Sequence, residues 1–352
     1  MDHRAWLGKL SVSSKALGRY QWTANFLKLF NGYSPFPFHI DLILTLRCNL
    51  ACKMCNLRQE ENVKLFSAFR EPELSPTEWM DIIKDIKRSF FFRPNLNLLG
   101  GEPSIYEGYL DIAAFIKEQG FRCTYTTNGT FLTTDAANIV SVGVDVIVVS
   151  IDGPREIHDS IRGPGVYENA VKGIHVMNEL KGMQRKRVPQ IFLACTINGD
   201  NYGHLVDVID IARELDINYI IFYQLQFPDR EIGIHNIDVD YLIGEMAEVK
   251  KKAVDNNISI SFYPHLKTDQ IATYYLQTSD QLGRGCISPW LRMTIMPNGS
   301  IVPCRNYVMG NVRIDRITKG SVWNNKKFRT FRKKLAKRGL FPDCGRCCRK
   351  QY

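Results

Sequence analysis

Three cysteines, Cys48, Cys52 and Cys55, stand in the pattern C-x3-C-x2-C within RCNLACKMCN. A loop that short can turn three thiolates onto one metal centre. A structural zinc site wants four protein ligands and no fourth donor is near in sequence, so a zinc finger fits poorly. Three thiolates on a cubane cluster leave one iron without a protein ligand, an open position where substrate or cofactor can bind. Five more cysteines gather in the tail: Cys286, Cys304, Cys344, Cys347 and Cys348. There GCISPWLRMTIMPNGSIVPC reads as two short strands joined by PNG, a hairpin expected to bring Cys286 and Cys304 together at its base. A helix over 321–338 returns the chain to CGRCC, where Cys344 and Cys347 form a C-x2-C pair. Four thiolates can close a complete site, and softness alone allows zinc or iron-sulfur there. Cys348 is spare. Cys123 and Cys195 stand alone in strand-like runs and read as small buried apolar residues.

Elements must carry these loops. Apolar residues make up 45% and charged residues 23% of the 352, enough for a sizeable core and too apolar for wholesale disorder. Between residues 39 and 225, β-branched runs alternate with helical stretches, the pattern of repeated β-α units on a parallel sheet. Six strands are expected, at 39–46, 96–100, 123–128, 144–151, 190–197 and 219–225. Ser75, Pro76 and Glu78 form a capping box with proline at the first helical position. Thr133 or Thr134 is expected to cap a further helix that stops at Gly143. The polar and glycine-rich motifs all follow strands: RCNLACKMCN, GGEP, TNG, SIDGP, Asn198 and Gln224. In a closed or partial barrel that rim carries the active site. The expected architecture is α/β, a partial (β/α)6 TIM-like barrel over 39–285, with an extension over 1–38 and a small β-hairpin/helix iron-sulfur domain over 286–352.

The cysteine loop after the first strand resembles the motif of the radical S-adenosylmethionine superfamily. The resemblance implies a 4Fe-4S cluster on Cys48, Cys52 and Cys55, with the open iron chelated by S-adenosylmethionine. One-electron cleavage then gives methionine and a 5′-deoxyadenosyl radical that takes hydrogen from a substrate. The residue before the third cysteine is often aromatic in the family; here Met54 stands there, and its thioether can pack against adenine. Gly100, Gly101, Glu102 and Pro103 match the family's glycine-rich loop, which implies close backbone approach to the ligand and a carboxylate for the methionine ammonium. Ser150 and Arg162 match positions near the cofactor's carboxylate, and Asn128 and Asn198 positions of further polar contacts. On the residues alone, Asn128 before glycine is a turn former and Arg162 could pair with Asp159. His158 reads as solvated or capping. The tail resembles the Twitch or SPASM extensions of the family, which implies an auxiliary 4Fe-4S cluster on Cys286, Cys304, Cys344 and Cys347. Five cysteines suit the shorter, single-cluster form.

The function implied is hydrogen abstraction from a metabolite, glycan or lipid-linked substrate, with Tyr223, Gln224 and His265 as pocket candidates and a flavodoxin- or ferredoxin-type electron donor. Alternatives are a peptide-modifying maturase and a non-enzymatic zinc or iron-sulfur protein that binds nucleic acid. The net charge of +10 favours an anionic partner or membrane surface. KKFRTFRKKLAKR (326–338) carries Phe328, Phe331 and Leu335 at helical spacing, so a docked amphipathic helix with a solvated basic face is expected, and nucleic acid is disfavoured. The first 38 residues, rich in Trp, Leu and Phe, could lie on a membrane or cap the barrel. No apolar run is long enough to span a bilayer and no signal-peptide core is visible, so a cytoplasmic protein, at most peripheral to the membrane, is expected.

Overall fold

The computed structural model describes residues 31–58, 63, 66–69, 72–225, 236–276, 286–304, 307–315, 317, 322–341, 344 and 347. Its elements in chain order are β1 (His39–Thr45), α1 (Pro76–Ser89), β2 (Asn95–Gly100), α2 (Tyr109–Glu118), β3 (Arg122–Thr127), α3 (Leu132–Val142), β4 (Val146–Ser150), α4 (Arg155–Arg162), α5 (Val166–Met183) and β5 (Gln190–Ile197). There follow α6 (Leu205–Glu214), β6 (Tyr219–Gln224), α7 (Val239–Asp255), β7 (Ser259–Tyr263), α8 (Thr268–Leu276), α9 (Ser288–Leu291), β8 (Arg292–Ile295), β9 (Ser300–Val302), β10 (Gly310–Asn311) and α10 (Lys326–Arg338).

One sheet holds all the strands among the described residues, in the order β10-β9-β8-β1-β2-β3-β4-β5-β6-β7. All neighbours from β8 across to β7 are parallel. The six expected strands form, and two features are added. The stretch 226–285, unassigned in the sequence, supplies β7, which pairs with β6. The tail hairpin is not a separate layer: β8 pairs in parallel with β1, so the barrel sheet runs on into the tail. Alternation sorts the side chains. Leu42, Leu44, Leu96, Leu98, Ile147, Val149, Leu193 and Phe222 face the helices, where Trp79, Ile112, Ile139, Ile174, Val208 and Leu242 cover them in one apolar core. Cys123 and Cys195 are fully buried there, as expected.

The capping box is present: Glu78 N–H donates to Ser75 Oγ, and Ser75 N–H to Glu78 Oε2 at 2.8 Å. Helix α3 ends at Gly143 in the left-handed region but starts earlier than expected, with Phe131 at the cap position and no side-chain cap. The buried Leu132 sets that start, because it docks where Gly173 of α5 has no Cβ: one placed there would lie 2.3 Å from Leu132 Cβ. Helix α10 begins at Lys326 under an Asn325 cap and buries Phe328, Phe331 and Leu335. Its basic face is not wholly solvated. Arg332 is fully buried, with its guanidinium 4.1 Å from the Trp323 ring centre and donating to Pro289 O and Gly32 O. No described helix is long and apolar enough to cross a membrane. Ser75→Ala, which removes one half of the box, is expected to lower stability by about 1 kcal/mol in thermal or urea unfolding.

Candidate active site

The cysteine loop leaves the carboxyl end of β1 and is fastened at several points. Cys55 N–H donates to Cys52 O, and the Arg58 guanidinium clamps Leu50 O at 2.7 and 3.1 Å. Lys53 N–H donates to Ile161 O in α4. Leu50 N–H reaches Cys48 Sγ at 3.4 Å and the Asn128 amide stands 3.9 Å from it. All three cysteines are half-buried and none is in a disulfide. Burial pushes the Cys52 thiol up to about 11; the Arg162 charge opposes this, and Cys55 and Cys48 add to it. Cys48 is raised as well, chiefly by burial. Burial thus disfavours a bare thiolate at Cys48 and Cys52, and a cationic centre beside them would offset that cost. Among the described residues no three Cys, His, Asp or Glu side chains share one ion-sized position. A cubane takes one thiolate per iron, and three half-buried sulfurs with backbone and amide donors beside them fit that group.

The GGEP turn packs directly against the cysteine loop. Gly101 N–H donates to Thr45 O at 2.8 Å and Glu102 N–H to Arg47 O at 2.9 Å. A Cβ on Gly101 would lie 2.1 Å from Arg47 O, and one on Gly100 2.6 Å from Thr45 O. The glycines thus admit the backbone of the cysteine loop itself. Glu102 has no exposure; Oε1 accepts from Ser104 N–H, Ser104 Oγ and Thr127 Oγ1, and Oε2 from Asn128 N–H at 2.7 Å. Its carboxylate, expected to hold an ammonium, is engaged by the protein and ties β2 to β3. Pro103 and Met54 are buried, Met54 within the main core. Asn128 belongs with the cluster loop, since its amide also donates to Asn49 Oδ1 at 2.9 Å.

A second node, missed in the sequence, is Asp152 in SIDGP. It is fully buried, and Oδ2 accepts from Arg162 Nε at 2.6 Å while Oδ1 accepts from Thr196 N–H at 2.8 Å. Asn201, also fully buried, donates to Asp152 O. Arg162 therefore pairs with Asp152 beneath Cys52, not with Asp159, which instead accepts from Gly165 N–H and Tyr167 N–H. The signal was available: an acid immediately beyond a rim strand, ten residues before an arginine. Asn198 is spent on its own turn, donating to Thr196 O and accepting from Asp200 N–H. Ser150 ends β4, half-buried on the inward face. His158 is a correction: it is neither solvated nor a helix cap but fully buried, with Nδ1 accepting from Asp152 N–H at 3.1 Å.

The inward face of the sheet is polar toward β1. Arg292 donates from Nη1 to both oxygens of the fully buried Asp41 at 2.9 Å, and Asn97 donates to the same carboxylate. The Arg292 side chain keeps 24% of its exposure and feels Tyr223 and Tyr263 of β6 and β7, so the sheet curls until its two ends face each other. Tyr223 lies on this face as a pocket residue should. Gln224 points the other way, into the helical layer, where Tyr275 donates to it; strand alternation puts it there. His265 is exposed near Lys250 of α7, and partial desolvation, followed by that charge, lowers its pKa. In the tail, β8 and β9 make the expected antiparallel hairpin. Cys286, Cys304, Cys344 and Cys347 are half-buried and outside any disulfide, and Phe341 N–H donates to Cys344 Sγ. Cys348 lies outside the described residues, as do residues 1–30 of the N-terminal segment.

Residues 42–212 match the family model of the radical SAM superfamily, and residues 286–348 that of the SPASM iron-sulfur cluster-binding domain. The chain belongs to the radical SAM enzymes that carry such a C-terminal domain, which use S-adenosylmethionine and 4Fe-4S clusters. It is 31% identical to the Fe-coproporphyrin III synthase of Methanosarcina barkeri over 60% of this chain and 48% of that one, so it spans about half of that relative's length. It is 26% identical to the AdoMet-dependent heme synthase of Oleidesulfovibrio alaskensis over 96% of this chain and 86% of that one. Among solved structures, Streptococcus suis SuiB bound to S-adenosylmethionine shares the fold, with TM-score 0.65, 17% identity, and coverage of 88% of this chain and 70% of that one.

Two outcomes are expected. Gly101→Ala should cost at least about 2 kcal/mol, because the Arg47 carbonyl cannot retreat without tearing the loop from β1, and iron content after anaerobic reconstitution should fall with it. His158 is held at about 4, chiefly by burial, against its ordinary 6.5. Below 6.5 the unfolded chain takes up a proton that the folded one refuses, so its share of stability is lost as pH falls from 6.5 toward 4. His158→Asn should flatten that part of the stability-pH curve, measured by urea unfolding at each pH.

Proposed function

We propose that Cys48, Cys52 and Cys55 hold the 4Fe-4S cluster of this radical S-adenosylmethionine enzyme, and that Cys286, Cys304, Cys344 and Cys347 hold one auxiliary cluster. The single observation that carries the first assignment is three half-buried, mutually sensed thiols in a loop pinned to the ends of β2, β3 and α4. The chemistry the bound, reduced cluster supplies is one-electron cleavage of S-adenosylmethionine to methionine and a deoxyadenosyl radical able to take a hydrogen atom. The chain's own residues bind and orient. Asn128 braces Cys48, Ser150 offers an inward hydroxyl at the rim, and the Arg162 charge beside Cys52 serves the cofactor's carboxylate while Asp152 fixes its direction. Gly100 to Pro103 shape the cofactor's seat, with Glu102 as a positioning residue.

The substrate is a small molecule bearing a carboxylate, seated on the inward face against Arg292 and Tyr223. Arg292 supports this: Asp41 holds it by Nη1, and among the described residues its remaining N–H groups have no partner. Its full-length resemblance to heme synthases, whose products carry carboxylates, points the same way. The electron donor would be a flavodoxin or ferredoxin.

Cys52→Ala is expected to abolish reductive formation of 5′-deoxyadenosine, and formation at the wild-type rate would refute the assignment. Cys304→Ala should leave cleavage measurable while product formation fails. Wild-type protein purified without oxygen should be brown with about eight irons per chain; colourless protein with stoichiometric zinc would favour a structural metal. Arg292→Met should cost about 3–5 kcal/mol by stranding Asp41. Adding Asp41→Asn should restore the fold but not the substrate-dependent rise in deoxyadenosine.

A further inference from the structure

The strands of the barrel are parallel, so every helix-to-strand connection lies on the rim opposite the cysteine loop. On that rim the α1–β2 connection carries Phe91 and Phe92, exposed by 105% and 54%. Phe92 is stacked on Phe36 with ring centres 5.1 Å apart, and Phe36 meets Phe38, so Phe92 stands on an aromatic base while its neighbour Phe91 protrudes fully. Three strands further along the same rim, roughly 14 Å at ordinary strand spacing, α5 ends on Met183, 81% exposed, just before the α5–β5 connection. Around these apolar tips stand Lys87 and Arg88 in the last turn of α1, Arg93 on the first connection, and Arg185 and Arg187 on the second, all exposed. Arg88 has Asp85 at 3.7 Å, Lys87 donates to Gln119 and Arg93 lies over the Phe121 ring; among the described residues no carboxylate pairs with Arg93, Arg185 or Arg187.

Protruding aromatic side chains ringed by arginines match an interface of apolar chains and anionic headgroups. They do not match a second copy of the chain, because a two-fold contact would set this basic patch against itself. They do not match the chain's own first 30 residues, which are also net basic. We propose that this rim docks on an anionic lipid surface, with Phe91 and Phe92 entering the headgroup-acyl boundary and Arg88, Arg93, Arg185 and Arg187 facing the headgroups. Docked so, the cysteine loop points away from the bilayer and stays open to S-adenosylmethionine and a soluble electron donor.

The test is co-sedimentation of the full chain with phosphatidylcholine vesicles, with and without phosphatidylglycerol. Binding is expected only to the anionic vesicles and should weaken as salt is raised. Phe91→Ser/Phe92→Ser should weaken it at least about tenfold with an unchanged melting temperature, and Arg185→Glu/Arg187→Glu should weaken it with a smaller salt dependence. Equal binding to neutral vesicles, or wild-type binding by the double serine variant, would overturn the proposal, the latter by giving the contact to the N-terminal segment. So would a lipid-free dimer that the serine variant converts to monomer, since that makes the rim a self-association face.

Discussion

The structure depends on how the cysteine loop is held. A loop with three sulfurs has little apolar surface to bury, and it cannot fix its own shape by packing. It is held instead by main-chain hydrogen bonds to a neighbouring strand end and helix: Gly101 and Glu102 donate to Thr45 and Arg47, and Lys53 donates to Ile161 of α4. The requirement for glycine at 100 and 101 follows, since only a residue without Cβ lets two peptide groups approach that closely. Glu102 then relays the constraint outward by fastening β3 through Thr127 and Asn128, and Asn128 returns to Cys48.

Two buried acids divide the barrel's interior labour. Asp152 anchors Arg162 at the cluster end, and Asp41 anchors Arg292 where the sheet curls to face itself. In each case a fully buried carboxylate is tolerated because several donors satisfy it. In each case the arginine is presented to the interior with its direction set. Burial with partners, not exposure, is what orients the cationic groups here.

Much of this was legible in the sequence, for identifiable reasons. The six strands and their rim motifs announced themselves because parallel strands buried on both faces read as β-branched runs. Cys48, Cys52 and Cys55 stood out by their spacing. The partners of Glu102 at the end of β3 did not, because they lie some 25 residues away along the chain, whereas Asp152, ten residues before Arg162, was a local signal left unread. His158 looked solvent-facing because nothing local marks a histidine whose partner is a backbone N–H six residues back. Gln224 and Tyr223 are adjacent in sequence yet opposite in space, a distinction of one residue in strand register that composition cannot supply. The cap of α3 was misplaced because a tertiary contact, Leu132 against Gly173, outranked the threonines that follow it.

The pairing of β8 with β1 means that the tail is no detachable accessory. Removing it would bare the hydrogen-bonding edge of β1, an invitation to intermolecular strand addition, and would take the Arg292 guanidinium away from Asp41. Evolutionary exchange of this tail for another would need the incoming segment to bring both a matching strand and a matching charge. Tail and barrel are therefore bound to diversify as one unit.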